Sequence, residues 1–134
     1  MKFTICYTSK SIDNLTNVEV NSIFLSTVIN NEARGITGVL LYHSGLFLQV
    51  LEGSREEVKK LFYDIIYPDR RHNEIFIVME KETPIPFFNS YSSKFCNIKT
   101  QQEFYALKKY INKHLITEDS KKFNRLLNPF ISMV

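Results

Sequence analysis

The chain has 134 residues, of which 44% are hydrophobic and 23% charged, and its formal net charge is +3. This length fits one domain with a terminal appendage, and the composition excludes disordered and collagen-like chains. A positive charge this small and scattered does not favour nucleic-acid binding.

The first two predicted elements are a strand and a helix. Residues 2–9 alternate in polarity, which predicts a strand whose apolar face carries Tyr7. Thr16 and Glu19 have the spacing of a capping box, which marks the start of an amphipathic helix. The face of this helix that we expect to be buried contains Val20, Ile23, Phe24, Thr27, Val28 and Asn31. Asn31 is the anomaly, because it places an amide on an apolar face.

Two further strands, Thr37 to His43 and Leu46 to Leu51, are joined at Ser44-Gly45 and predict a hairpin. Their side chains are apolar on both faces, which indicates a sheet that is covered on both sides. Gln49 interrupts one of these apolar faces.

A second helix is predicted by the capping-box pair Ser54 and Glu57, and Pro68 ends it. Its expected buried residues are Val58, Leu61, Phe62, Ile65 and Ile66. Residues 75–79 predict a fourth strand, and residues 87–95 predict a short, irregular fifth strand beyond two prolines.

The remaining residues, from Thr100 onward, have a helical pattern with two apolar stripes. The first stripe contains Phe104, Leu107, Ile111 and Leu115, and the second contains Phe123, Leu126, Leu127 and Phe130. We therefore expect helices to follow the sheet.

The element order up to residue 80 is β-α-β-β-α-β, the split βαβ or ferredoxin-like arrangement. Right-handed crossovers place the first and third strands side by side and antiparallel, with both helices on one face of the sheet. The predicted fold class is therefore α+β, a ferredoxin-like sheet with C-terminal helices. Tyr7, Gln49 and Asn31 then converge between the helices and the sheet.

Two interpretations account for this convergence. Either the three polar groups satisfy one another or the backbone, or a flat ligand with a polar edge lies between the helices and is bound by Asn31 and Gln49. The sequence has no nucleophile–base pair, no paired carboxylates and no metal-ligand spacing. We therefore expect neither an enzyme nor a metal site.

The sequence also predicts the cellular environment. No apolar run approaches the ~20 residues that cross a bilayer, and the N-terminus does not resemble a signal peptide. Cys6 and Cys96 form no CxxC pair and no disulfide framework. We expect a reduced, cytoplasmic protein without membrane contacts.

Five motifs within residues 1 to 95 resemble those of one family. They read Tyr7-Thr8-Ser9, Asn30-Asn31, Gly35-Ile36-Thr37-Gly38-Val39-Leu40-Leu41-Tyr42, Phe47-Leu48-Gln49-Val50-Leu51-Glu52-Gly53 and Asp69-Arg70-Arg71-His72. In this order and spacing they resemble the BLUF family of blue-light photoreceptors, which bind FAD. The resemblance implies a flavin-binding photosensor domain over residues 1–95 and a C-terminal helical extension over residues 96–134.

The resemblance also implies roles for individual residues. Tyr7 resembles the photochemical donor of an electron and a proton, and Gln49 resembles the amide that switches between this tyrosine and the flavin. The implied cofactor-binding residues are Asn30, Asn31, Gln49, Asp69, Arg71 and His72. Tyr91 and Ser93 stand where the family usually has a Trp and a Met, positions tied to signal output.

The leading hypothesis is a blue-light photoreceptor that binds FAD non-covalently and signals, as a homo-oligomer, to a downstream protein. Two alternatives stay open. One is a light-insensitive ferredoxin-like module for protein–protein interaction, and the other is a small enzyme on the same scaffold, for which no catalytic set is visible. A yellow purified protein favours the photoreceptor, and a colourless one favours the interaction module.

Overall fold

The computed structural model describes residues 2–13 and 15–131 and divides into two compact units, residues 1–97 and 98–134. Met1 and the last three residues of the predicted extension therefore lie outside the described residues. In chain order the elements are β1 (Lys2–Ser11), α1 (Asn17–Ala33), β2 (Thr37–His43), β3 (Leu46–Gly53), α2 (Arg55–Lys60), a π-helix (Leu61–Ile66), β4 (His72–Thr83), β5 (Phe95–Ile98), α3 (Gln101–His114) and α4 (Thr117–Ile131).

The strands form a sheet in the order β4-β1-β3-β2-β5. β1 is antiparallel to both β3 and β4, which confirms the predicted pairing of the first and third strands near the sheet centre. In the β1–β3 register, Tyr7 lies directly opposite Gln49. The topology alone therefore brings the phenol and the carboxamide together.

The core of the first unit lies between one face of the sheet and its helices. Alternate residues of β1 and β3 point toward α1, α2 and the π-helix, since successive side chains of a strand face opposite sides. This core includes Phe3, Ile5, Leu51, Val20, Phe24, Val58, Leu61 and Phe62, all buried. Both helical segments thus pack on one face, as predicted.

The start of α1 follows the predicted capping box. The backbone N–H of Glu19 donates to the Thr16 hydroxyl oxygen over 3.1 Å, and the N–H of Thr16 donates to the Glu19 carboxylate over 3.1 Å. At α2, the Ser54 hydroxyl accepts from the N–H of Glu57 over 3.3 Å, but the Glu57 carboxylate binds Arg34. The second box is therefore half formed among the described contacts, and the carboxylate joins α2 to the end of α1.

The predicted second helix is not a continuous α-helix. After Lys60 the chain widens into the π-helix, where the N–H of Tyr67 donates to the carbonyl of Phe62 over 2.7 Å. The wider turn rotates the following side chains, and Ile65 remains 40% exposed instead of buried. Such turns occur frequently at functional sites.

The predicted fifth strand is wrong in position. Residues 87–91 form turns, and β5 covers Phe95–Ile98 instead. The physical reason is that the backbone N–H groups of Phe87 and Phe88 donate to the Glu52 carboxylate rather than to a neighbouring strand. The fourth strand is longer than predicted and spans His72–Thr83.

The second unit contains the two predicted C-terminal helices. Thr100 and Glu103 form a capping box at the start of α3, which the sequence pattern had left unmarked. The buried residues of the two stripes are Phe104, Leu107, Ile111, Phe123, Leu127 and Phe130. No described helix is long and apolar enough to span a membrane.

Candidate functional site

A pocket in the first unit lies between α1, the π-helix and the sheet. Its cavity volume is about 70 Å³. The lining residues come mainly from four segments: Tyr7 of β1, Ile23 to Asn31 of α1, Phe47 and Gln49 of β3, and Leu61 to His72 around the π-helix. The pocket is thus largely apolar with a few polar groups.

The first of these polar groups is a buried tyrosine–glutamine pair. The hydroxyl of Tyr7 donates to Gln49 Oε1 over 2.5 Å, and the two side chains are 4% and 2% exposed. The Phe62 ring packs against Tyr7 with 5.2 Å between centroids. Burial raises the pKa of the Tyr7 hydroxyl well above its ordinary value, and the charge of Asp69 raises it further. Tyr7 therefore holds its proton on the bond to Gln49.

Asn31 supplies a donor that the protein itself leaves unpaired. The side chain is 1% exposed at the end of α1, and its Nδ2 has no hydrogen-bond partner among the described residues. An unpaired buried donor costs about 1–3 kcal/mol. The interpretation in which the polar groups bind one another therefore holds for Tyr7 and Gln49, but not for Asn31. This amide is therefore placed to bind an acceptor atom of a ligand in the pocket.

Asp69 and Arg71 line the rim of the pocket as a pair. The Arg71 guanidinium donates to the Asp69 carboxylate from Nε over 3.0 Å and from Nη2 over 2.6 Å. Hydrogen bonds from the Arg71 side chain lower the pKa of Asp69, against the effect of partial burial. In the same turn after the π-helix, the backbone N–H of Arg71 also donates to Asp69 Oδ1 over 2.9 Å. Asn30 lies exposed on the opposite wall.

We expect Asp69→Asn to make the free energy of unfolding less dependent on pH in the acid range. Because the folded pKa of Asp69 is lowered, its pairing with Arg71 stabilises the protein above the unfolded value of about 3.9 and is lost as the pH falls through the folded pKa. Arg71 is 40% exposed, so screening limits the effect to about 1 kcal/mol or less. Urea unfolding should show that the variant is less stable than the wild type at pH 7 and equally stable near pH 2. A gap of the same size at both pH values would contradict this role.

His72 has both ring nitrogens bound within the protein. Nε2 lies 2.7 Å from the carbonyl of Ile66, and Nδ1 lies 2.7 Å from the Ser9 hydroxyl. Since a carbonyl only accepts, Nε2 carries a hydrogen, and Nδ1 of the neutral ring accepts from Ser9. The ring edge faces Tyr7 and Phe47, each with 6.3 Å between centroids. His72 thus lines the pocket with its ring and fastens the π-helix to β1.

The two predicted output residues lie outside the set that lines the pocket. Tyr91 is half-buried and packs its ring edge on Phe88 with 6.0 Å between centroids, whereas Ser93 is exposed. The sequence analysis placed Thr27 on the buried face of α1 but assigned neither Thr27 nor Ser26 to the site, and both line the pocket from α1. Their spacing from Asn30 and Asn31, close to one helical turn, was the available signal.

Among residues 2–13 and 15–131, no group of three His, Cys, Asp or Glu side chains is arranged to hold a metal ion. The polar side chains of the pocket are instead a phenol, three amides, an imidazole, two hydroxyls and one ion pair. Such groups can pair with the donors and acceptors at the edge of a flat ligand.

Comparison with known proteins gives a consistent result. The family model "BLUF: Sensors of blue-light using FAD" matches residues 3–94. The photoactivated adenylate cyclase subunit alpha of Euglena gracilis is 37% identical over 75 residues, which is 56% of this chain and 7% of that protein. The chain therefore spans only a small fraction of this much longer relative.

Two solved structures are similar over nearly the whole chain. BlrP1 of Klebsiella pneumoniae, with FMN and cyclic diGMP, is 27% identical with a TM-score of 0.73, over 98% of this chain and 35% of that one. BlsA in its photo-activated state is 25% identical with a TM-score of 0.68, over 95% of both chains. The solved BlsA chain is thus of about the same length as this chain.

Proposed function

Because the chain belongs to the BLUF family, whose members are sensors of blue light that use FAD, we propose that the pocket between α1, the π-helix and the sheet holds the flavin ring of FAD. The observation that carries this proposal is the unpaired Nδ2 donor of Asn31 beside the bonded pair Tyr7 and Gln49. FAD supplies the chromophore, which absorbs blue light and accepts an electron when excited.

The pocket residues that the sequence resemblance assigns to the cofactor each have a proposed part in holding the flavin. Asn31 donates from Nδ2 to a carbonyl of the flavin edge, which relieves the cost of a buried unpaired donor. Gln49 presents its Nε2 hydrogens to the ligand, because its Oε1 is occupied by Tyr7. Asn30 and the pair Asp69–Arg71 contact the cofactor at the rim, and His72 lines the pocket with its ring.

The photochemical step is proposed to take place on the bond between Tyr7 and Gln49. Tyr7 gives up an electron most readily when its proton leaves at the same time, and Gln49 Oε1 accepts that proton along an existing hydrogen bond. An amide that then rotates or tautomerises exchanges an acceptor for a donor, so the hydrogen bonds of the pocket rearrange without a large motion. Cys6 takes no part, because it is buried on the opposite face of β1.

We further propose that the chain signals to a separate protein. A BLUF domain is a sensor module and not itself catalytic, and relatives such as the Euglena cyclase subunit are named as photoactivated enzymes. Homo-oligomeric assembly and a cytoplasmic location remain part of the proposal. Pull-downs with this chain as bait, in the dark and under blue light, test for a light-dependent partner.

We expect Tyr91→Phe to leave the light response in place. Blue light should produce a small red shift of the flavin absorption in the wild type, which decays in the dark, because the hydrogen bonds around the flavin rearrange. The purified variant should be yellow and show the same reversible red shift, because Tyr91 packs on Phe88 outside the pocket lining. Difference spectra before and after blue light measure this shift. Tyr7→Phe removes the same single hydroxyl inside the pocket and is the matched comparison.

Two outcomes would contradict these assignments. Loss of the shift in Tyr91→Phe with retention in Tyr7→Phe would reverse the proposed roles of the two tyrosines. A wild-type protein that purifies without flavin and does not take up added FAD would remove the basis of the proposal.

A further inference from the structure

A buried carboxylate lies on the face of the sheet opposite to the pocket. Glu52 of β3 is 0% exposed and, three positions along the same strand, faces away from Gln49. Burying an ionisable group is costly unless hydrogen bonds compensate for the lost water. The photochemical step proposed above makes no use of this residue.

The Glu52 carboxylate is held by three donors. The N–H of Phe87 donates to Oε2 and the N–H of Phe88 to Oε1, each over 2.8 Å. The Thr4 hydroxyl donates to Oε2 over 2.8 Å and, 2.7 Å from the Thr83 hydroxyl, accepts from it. Burial raises the pKa of Glu52, and the two N–H groups oppose this rise. Glu52 thus joins β1, the end of β4 and the turn after it.

The turn depends on this carboxylate for its position. Phe87 and Phe88 are 7% and 2% exposed, and Pro84 and Pro86 carry no N–H with which to extend the ladder of β4. The N–H of Tyr91 in turn donates to the carbonyl of Phe88 over 3.1 Å. The carboxylate therefore sets where residues 87–91 lie against the sheet.

Side-chain hydrogen bonds join β1 and β3 on both faces of the sheet. Tyr7 and Gln49 are direct cross-strand neighbours on the pocket face, and Thr4 and Glu52 are direct cross-strand neighbours on the opposite face. A change in the first bond that alters the alignment of β1 with β3 must also act on the second bond.

We propose that Glu52 is a positioning residue that transmits a hydrogen-bond change at Gln49 to the turn of residues 87–91. This inference rests on the proposed function, because it takes the pair Tyr7–Gln49 as the origin of the change. The route runs along β3 to Glu52 and from its carboxylate to the backbone N–H groups of Phe87 and Phe88. A two-state alignment of β1 and β3 is the element that both ends share.

Hydrogen exchange of individual amides tests this route in the flavin-loaded protein. In the dark, the N–H groups of Phe87 and Phe88 should be protected. Under continuous blue light their exchange should accelerate about fivefold or more, in line with the weakening of one hydrogen bond. The absorption spectrum of the same sample reports the red shift independently.

Glu52→Gln supplies the decisive variant. It should keep the red shift, because Gln49 is unchanged. Its single oxygen can still accept from one of the N–H groups of Phe87 and Phe88, but its NH₂ end cannot accept from the other, so the light dependence should be lost at that N–H. Glu82→Gln is the matched control on β4: this carboxylate is 55% exposed and next to Thr83, and its neutralisation should leave the light dependence intact.

A second variant keeps the inference testable if Glu52→Gln does not fold. Thr4→Val has nearly the same shape and retains the Glu52 bonds to the two N–H groups, but removes the Thr4 hydroxyl and with it the bonds to Glu52 and to Thr83. It should keep protection in the dark and reduce the response to light. A wild type with the red shift but equal exchange in dark and light overturns the inference alone. A wild type without the red shift overturns the proposed function and this inference with it.

Discussion

A Gln49→Leu protein should keep its flavin and lose the reversible red shift completely. Leucine nearly preserves the volume of glutamine but has neither the acceptor for the Tyr7 hydroxyl nor the donors for a ligand. The surrounding residues, Leu40, Phe47 and Leu61, accommodate an apolar side chain. The pocket thus remains formed while the group that changes its hydrogen bonds is gone.

Difference spectra recorded before, during and after blue illumination measure this loss. Gln102→Leu is the matched control, because it makes the same change at an exposed position of α3 in the second unit. The control should show the full wild-type shift and dark recovery. A Gln49→Leu protein that retains flavin and still shifts reversibly would disprove the switching role of this amide.

Asn31→Ala should weaken FAD binding by about 5- to 150-fold, the equivalent of losing a hydrogen bond worth about 1–3 kcal/mol. The substitution has a second consequence of opposite sign. Because Nδ2 has no partner among the described residues, its removal takes away an unsatisfied buried donor from the flavin-free protein. The stability of that form should therefore fall little or even rise, whereas the stability of the flavin-bound form should fall.

Fluorescence titration of flavin-free protein with FAD gives the change in dissociation constant, and thermal unfolding with and without FAD separates the two effects. Asn21→Ala makes the same change at an exposed position of α1 and serves as the control. Equal FAD affinity of Asn31→Ala and Asn21→Ala would exclude Asn31 as a contact of the ligand.

Much of this site follows from local pattern and chain topology. The two-residue period of β1 and β3 and the capping box at Thr16 set which faces carry Tyr7, Gln49 and Asn31. Right-handed crossovers then leave one way to assemble the sheet, and that assembly pairs Tyr7 with Gln49. These predictions succeeded because strand period, helix period and crossover handedness are local or topological rules.

The two misplaced elements have a different origin. The stripe from Val58 to Ile66 has the spacing of an α-helix, but the turns that form after Lys60 are wider. In them the N–H of Tyr67 donates to the carbonyl of Phe62, and His72 Nε2 donates to the carbonyl of Ile66. These partners are set by the whole unit and not by the segment.

The structure of residues 87–91 is likewise decided by a contact that is distant along the chain. Their aromatic, β-prone sequence favours a strand, but a carboxylate 35 residues away along the chain captures the N–H of Phe87. Nothing in the local sequence marks Glu52 as the acceptor, since a glutamate in a strand is ordinarily exposed.

The sequence by itself thus determined the α+β topology, the strand pairing and the resemblance to the BLUF family. Only the tertiary structure decided which polar groups have partners: Tyr7 and Gln49 bind each other, the nitrogens of His72 are both occupied, and Asn31 keeps an unpaired donor. The physical reason is that periodicity determines the direction of a side chain, whereas a hydrogen bond requires two atoms within about 3 Å of each other. That distance is set by the packing of every element around the pocket.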